Sequence, residues 1–432
     1  MRVTLRSMVG KTLFLSCSHF AVRVIGFAMR IWLSRELGPQ AMGLVELAQS
    51  AQMLLVTPVV SGLPAAVTRM CAKAEPERQR RIVRCGMALA LLVGLPLMAG
   101  AFFLREPLAL WLGDVRTMPA VLVYLPCIPI LGVSCALNGY YYGSGRPVPP
   151  ALSELLEQIV RLLLCMRLVS ALRGWPLMLR AAVPSVAALI GELAGLLLML
   201  LVASRAVLGR GEGSRRAIVG EIVALALPLT GMRVVSSLMR TVNAALIPAR
   251  LQLSGLTAAE ALSRLGMLQG MLMPVLLMPS FITASLTMVA SPEITRRQAE
   301  GKPLARPVQR VLLATLLVGL AAMAAVFVFA PFIAQKLYRQ AELLSLLQVC
   351  CVLVPVISLC HVTGGMMNAL GLQSASLRIA LATNLLSVLT VYVLAAMPGV
   401  RLWGAIAATA AAHLITLALN MLFIRREIAK SN

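Results

Sequence analysis

Residues 21–35 read AVRVIGFAMRIWLSR. The stretch is apolar enough to enter a membrane, yet it carries Arg23 and Arg30 two helical turns apart. Both guanidiniums therefore share one helix face, roughly 10 Å apart along the axis, with Gly26 between them. The pattern returns in MRVVSSLMR, residues 232–240, where Arg233 and Arg240 keep the spacing and Ser236 and Ser237 fill the gap. An arginine at the middle of a spanning helix costs about 2.5–3.5 kcal/mol on insertion scales. Such residues face a bundle interior or a wet cavity. Four of them in two matching helices imply a central basic cavity built from two halves of one chain.

Composition gives the class. Of 432 residues, 59% are hydrophobic and 13% charged, against about 25% charged in a soluble globule. The net charge of +23 does not imply nucleic acid. The basic residues lie in short loops between apolar runs or inside those runs, which is the positive-inside pattern. The first apolar run carries arginines and leads straight into further spans, so it reads as a span and not as a cleavable signal. The nine cysteines lie in or beside apolar segments without a CxxC pair. They read as small packing residues, with no metal expected.

Windows long enough to span, about 20 residues each, fall near 12–33, 42–71, 84–104, 119–143, 150–172, 181–204, 217–241, 262–290, 311–333, 343–370, 376–396 and 402–424. The N-terminus and the loops after even-numbered windows hold 22 lysines and arginines; the opposite side holds 10. The asymmetry predicts a multi-pass protein of the bacterial cytoplasmic membrane with both termini cytoplasmic.

The halves repeat. Pro58 in VTPVVSGLPAAVTR and Pro279 in LMPSFITASLTM each precede a basic loop, and Asn138 and Asn368 each lie in a Gly-rich helix end. An even number of spans per half implies parallel repeats about an axis along the membrane normal. The charged, glycine-containing stretch 205–216 reads as a cytoplasmic linker between a six-helix lobe at 1–204 and a second at 217–432. Pro126, Pro129, Pro274, Pro279 and Pro355 interrupt spans, as kinks or as hinges.

Enzyme chemistry is missing. The chain has one aspartate, Asp114, and no acidic pair to hold Mg²⁺ for a lipid-diphosphate transferase. Its three histidines are scattered over three spans. No P-loop or GxGxxG opens a helix, so no cofactor is expected. The ionisable residues inside spans are more informative. Glu154, Glu157 and Arg161 share a face of SELLEQIVRLLL, and Glu157 to Arg161 is the favourable i,i+4 order. They form a structural ion pair or a headgroup contact. Glu192, alone in VAALIGELAGLLL, either pairs with an arginine or carries a coupling proton. Glu46 and Gln49 are less informative, and Arg69 is placed to snorkel. Within the spans basic residues outnumber acidic ones, so a surplus positive cavity should want an anionic ligand.

KTLFLSCSHFAVRVIGFAMRIWLSRELGPQAMGL, SGLPAAVTRMCAK and GYYYGSGRPVPPALSELLEQIVR carry a resemblance. They resemble the polysaccharide and lipid-linked sugar flippases of the multidrug/oligosaccharidyl-lipid/polysaccharide exporter superfamily, the group of stage V sporulation protein B and its relatives. The similarity is clearest over 10–165, and its most specific piece is Glu157, Gln158 and Arg161. The related MurJ-type lipid II flippases hold a diphosphate with arginines of the first span. That implies the role for Arg23 through RVxGF and, more loosely, for Arg30. Those flippases have fourteen spans, the last two forming a lipid-tail groove, where twelve are counted here.

The expectation is an all-α polytopic membrane protein with about 12 transmembrane helices in two pseudo-symmetric six-helix lobes, like MATE and MurJ transporters. It is read as a non-enzymatic flippase for an anionic lipid-linked saccharide, an undecaprenyl-diphosphate oligosaccharide or lipid II-like precursor. Arg23, Arg30, Arg233, Arg240, Glu157, Gln158 and Arg161 are the binding candidates and Glu192 the coupling candidate. Membrane lipids and envelope-biosynthesis enzymes are the further partners. A multidrug or cation exporter on the same fold would need surplus acidic residues. A non-transporting envelope-assembly scaffold would not need the arginine surplus.

Overall fold

The computed structural model describes residues 5–208 and 211–431, without the side chains of 5–13, 16, 204–208, 284, 288, 289, 430 and 431. The expected linker at 205–216 thus falls partly outside the described residues, as does the first of the N-terminal cations, Arg2. Among the described residues every regular element is helical. The elements are α1 (Leu5–Val60), α2 (Leu63–Cys71), α3 (Pro76–Phe103), α4 (Arg105–Leu112), α5 (Met118–Tyr124), α6 (Cys127–Gly143), α7 (Val148–Ala171) and α8 (Leu177–Leu208). They continue with α9 (Arg215–Leu253), α10 (Ala258–Leu265), α11 (Met273–Ala299), α12 (Ala305–Pro331), α13 (Glu342–Cys350), α14 (Leu353–Ala369), α15 (Gln373–Leu394) and α16 (Leu402–Ser431).

Among the described residues eight stretches are long and apolar enough to cross a membrane, and two bent pairs, α5 with α6 and α13 with α14, bring the number to ten. The first stretch, Cys17–Cys71, has 55 residues, which is room for two crossings. The helix α7 has 24 residues but carries Glu154, Glu157, Arg161 and Arg167, which hide it from a hydropathy criterion. Counting both gives the twelve-helix, two-lobe arrangement.

Local chemistry explains the breaks. Gly38 leaves the helical region at φ 78°, ψ 171°, a conformation open to glycine, and Pro39 follows it. Arg30 pairs with Glu46; on one continuous helix they would stand about 24 Å apart, so the chain reverses at Gly38. The α5/α6 bend of 42° falls at Leu125–Pro126. The α13/α14 bend of 56° lies at Cys351–Val352, where the ring of Pro355 meets the carbonyl four residues back. A π-helical stretch, Gly266–Leu272, precedes Pro274, which cannot donate to residue 270.

By contacts the chain forms two compact units, one of residues 1–37 and 44–241, the other of 38–43 and 242–432. The division falls inside α9 and not at the linker. In the first unit, Ile218 and Ile222 of α9 share a core with Met70 of α2, Ile82 of α3, Tyr140 of α6 and Met199 of α8. Thr241 Oγ1 donates to the Ser50 carbonyl at 2.8 Å. Gln52 Nε2 donates to the Ala120 carbonyl at 2.9 Å and to Ser185 Oγ at 2.8 Å. In the second unit, Ile294, Val308, Met366, Ile379 and Ile424 join α11, α12, α14, α15 and α16. Large apolar side chains point outward, Leu201 being 74% exposed, as a lipid-facing surface requires. Six of the nine cysteines are buried and all are free.

Candidate functional site

One group of charged residues in the first unit lies where α1, α7 and α8 meet. Small residues bring the helices together. A Cβ on Gly195 of α8 would lie 2.8 Å from Ser153 Oγ of α7, and one on Gly191 would lie 3.0 Å from the Glu157 carbonyl oxygen. Close approach of this kind is the usual device of membrane helix packing. It carries Glu192 to α7, where Arg161 Nη2 lies 2.6 Å from Glu157 Oε1 and 3.8 Å from Glu192 Oε1. The three side chains are 22%, 15% and 12% exposed respectively. One guanidinium thus serves two carboxylates from two helices, and its Nε, buried, has no partner among the described residues.

The outer face of α7 meets α1. Ser18 Oγ donates to the Ala151 carbonyl at 3.3 Å. His19 Nε2 lies 3.6 Å from Glu154 Oε2, and the charge of Arg23 acts on the same carboxyl. One turn on, a Cβ at Gly26 would lie 3.8 Å from Gln158 Oε1, while Gln158 Nε2 lies 3.4 Å from Glu157 Oε1. Gln158 therefore joins the Arg161 cluster to the stripe between Arg23 and Arg30.

Of the residues singled out in sequence, Arg23, Glu157, Gln158, Arg161 and Glu192 form this connected cluster. Arg30 points elsewhere, to Glu46. Glu46, read as less informative, is the carboxylate that Arg30 meets. Its signal was its place eight residues beyond Gly38, as far after the turn as Arg30 lies before it. Glu221 of α9 pairs with Arg78 at 3.6 Å. Arg233 and Arg240 lie exposed on α9. The charge acting on Arg240 is that of Arg233, and among the described residues neither makes a salt bridge. Among the described residues no cluster of His, Cys, Asp and Glu could hold a metal ion.

Comparisons place this arrangement. Residues 8–298 match the profile of the family described as polysaccharide biosynthesis protein. Stage V sporulation protein B of Bacillus subtilis (strain 168) is 26% identical over 413 residues, 91% of this chain and 79% of that protein. The inward closed structure of the lipid II flippase MurJ superposes with TM-score 0.76 at 13% identity, over 97% of this chain and 90% of that one. An inward-facing multidrug resistance MATE family transporter of the MOP superfamily superposes with TM-score 0.73 at 17% identity, over 95% of each chain. The two structures establish the fold, that of membrane transporters and not of enzymes. The family match runs from α1 into α11, and the chain belongs to the polysaccharide biosynthesis protein family.

Proposed function

We propose that the chain is a flippase that carries an anionic lipid-linked saccharide, an undecaprenyl-diphosphate oligosaccharide or lipid II-like precursor, across the cytoplasmic membrane by alternating access. The observation that carries this reading is the Arg233/Arg240 pair. It is exposed on a membrane helix, and no described carboxylate neutralises it. A diphosphate offers oxygens that guanidiniums grip in bidentate fashion. Arg23, whose charge acts on Glu154 of α7, and Arg30 would complete the grip, and the Glu157–Arg161–Glu192 cluster would hold α7 in place against α8. Glu192 is the candidate for coupling to an ion gradient. The lobes 1–204 and 217–432, joined by 205–216, would rock about the bound diphosphate, as their sequence repeat suggests. The relatives support the reading, since one structural neighbour is a lipid II flippase. The fold equally serves multidrug transporters, but a cation exporter needs unclaimed carboxylates. Here Glu46, Glu157 and Glu192 are engaged by arginines.

The test is flipping in proteoliposomes loaded with a defined undecaprenyl-diphosphate saccharide. Arg233→Ala with Arg240→Ala should lower the rate per folded molecule at least about tenfold, the value of one or two charge-assisted hydrogen bonds. Lysine at both sites should restore it in part, because it keeps the charge and loses the planar fork. A wild-type rate in the alanine double variant would sink the anion-binding role.

Orientation belongs to the same proposal. With both termini cytoplasmic, Ser214 and Gln298 face the cytoplasm and Asp114 and Leu256 face outward. Single cysteines at these positions, in a chain without its native cysteines, should react with an impermeant thiol reagent from outside only at 114 and 256. Outside labelling at 214 or 298 would reverse the orientation.

A further inference from the structure

The second unit holds a cavity of about 620 Å³ between α11 and α12. Its polar end is built by Glu293 and Arg297 of α11 and by Arg306 and Arg310 of α12; its other end is Leu286, Ala290, Val311 and Ala314. Glu293 is already committed. Its carboxylate takes Arg297 Nε at 2.5 Å and Arg296 Nη2 at 2.6 Å, and the hydrogen bond from Arg297 holds it below the usual carboxylate range. Arg306 and Arg310 are left facing each other. They are exposed, share a face at i,i+4 and make no salt bridge among the described residues. A like-charge pair at that spacing destabilises a helix, and an anion between the two would remove the penalty.

The same face says which anion. From Arg306 and Arg310 the stripe on α12 continues at Leu313 and Leu317, each 58% exposed. On α11, Leu286 is followed one turn further into the span by Ile282, also 58% exposed. Charge thus gives way to apolar surface along two neighbouring helices, in the direction that runs into the span. A free phosphate would use the first part of this surface and none of the second. The first unit has a counterpart at the corresponding loop of its repeat. There Arg69, Lys73 and Arg78 line a cavity of about 400 Å³ with Met70, Ala224, Leu225 and Glu221, the last paired with Arg78.

We propose that the α11/α12 cavity is a binding site for an anionic phospholipid, its phosphate between Arg306 and Arg310 and its acyl chain along Leu286, Leu313 and Leu317. The site is independent of the transport reading and rests only on the membrane setting.

The experiment compares full-length wild type with Arg306→Ala, Arg310→Ala in detergent micelles. Thermal midpoints are titrated with phosphatidylglycerol, with phosphatidylcholine and with millimolar inorganic phosphate, and co-purified lipid is counted by native mass spectrometry. Phosphatidylglycerol should raise the wild-type midpoint and remain bound, while the other two should do neither. The double alanine variant should need about tenfold more phosphatidylglycerol for the same shift, since each basic residue at a membrane surface contributes to attracting anionic lipid. Arg306→Lys, Arg310→Lys should fall between, and Arg425→Ala, Arg426→Ala, which removes the same charge near the chain's end, should behave as wild type. If the double alanine variant will not fold, the lysine variant and the lipid selectivity of the wild type decide. An equal response to phosphatidylcholine overturns the proposal. So does an equal response to inorganic phosphate, or undiminished phosphatidylglycerol retention in the Arg306/Arg310 variants.

Discussion

Arg161→Ala should destabilise the protein by about 3–5 kcal/mol, the cost of removing one partner from a buried ion pair. The cost arises from what stays behind. Glu157 and Glu192 project from α7 and α8 toward the same point, largely shielded from water, and one guanidinium serves both. Without it, two carboxylates face each other with neither water nor a cation to replace the lost contacts. The helices cannot relax apart cheaply, because Gly191 and Gly195 hold them at backbone distance. The loss should appear as a lower thermal midpoint and a smaller monodisperse fraction after extraction in mild detergent. Arg161→Ala combined with Glu157→Gln and Glu192→Gln should recover most of it, since a neutral cluster leaves no buried charge. If Arg161→Ala melts with the wild type, the cluster is not what joins α7 to α8.

The spans were legible in the sequence because membrane crossing is a one-dimensional property of about 20 apolar residues. Even α7, with four charges, was legible as the window 150–172, because the residues between its charges are mostly apolar. What crosses between helices was legible only where composition limits the choices. Arg161 had few carboxylates within reach, and Glu192 was one of them. The pairing of Arg30 with Glu46 was not legible, because it depends on a reversal that one glycine, Gly38, imposes. The contact division within α9 was hidden for a related reason. A hydrophilic linker marks where the chain leaves the membrane, but the faces of Ile218 and Ile222 decide what the next helix packs against. The π-helical stretch at Phe332–Leu337 has no signal in the sequence that we can identify.

Gly266→Val should be severe for a different reason, which also explains why residues 38–43 belong to the second unit. A Cβ on Gly266 would collide with the carbonyl oxygen of Pro39 and the backbone nitrogen of Gly43. A Cβ on Gly43 would collide with the carbonyl oxygen and side chain of Leu262. Two helix segments therefore cross backbone to backbone, each offering a glycine to the other, and no rotamer of a larger side chain avoids a clash with main-chain atoms. Gly266 and Leu262 are themselves fully enclosed, with Leu265 and Met271 beside them, so the displaced segment has no free volume to enter. Overpacking of this kind costs about 1–3 kcal/mol or more. Gly266→Val should reach or exceed the upper end, and Gly266→Ala should already lower the thermal midpoint. Gly364→Ala is the control. Its Cβ would meet nothing within 4 Å, and in the helix Leu353–Ala369 alanine is favoured over glycine by about 0.5–1 kcal/mol. That variant should match or exceed the wild-type midpoint. Equal midpoints for Gly266→Ala and Gly364→Ala would mean that the crossing of 39–43 over 262–266 does not hold the second unit together.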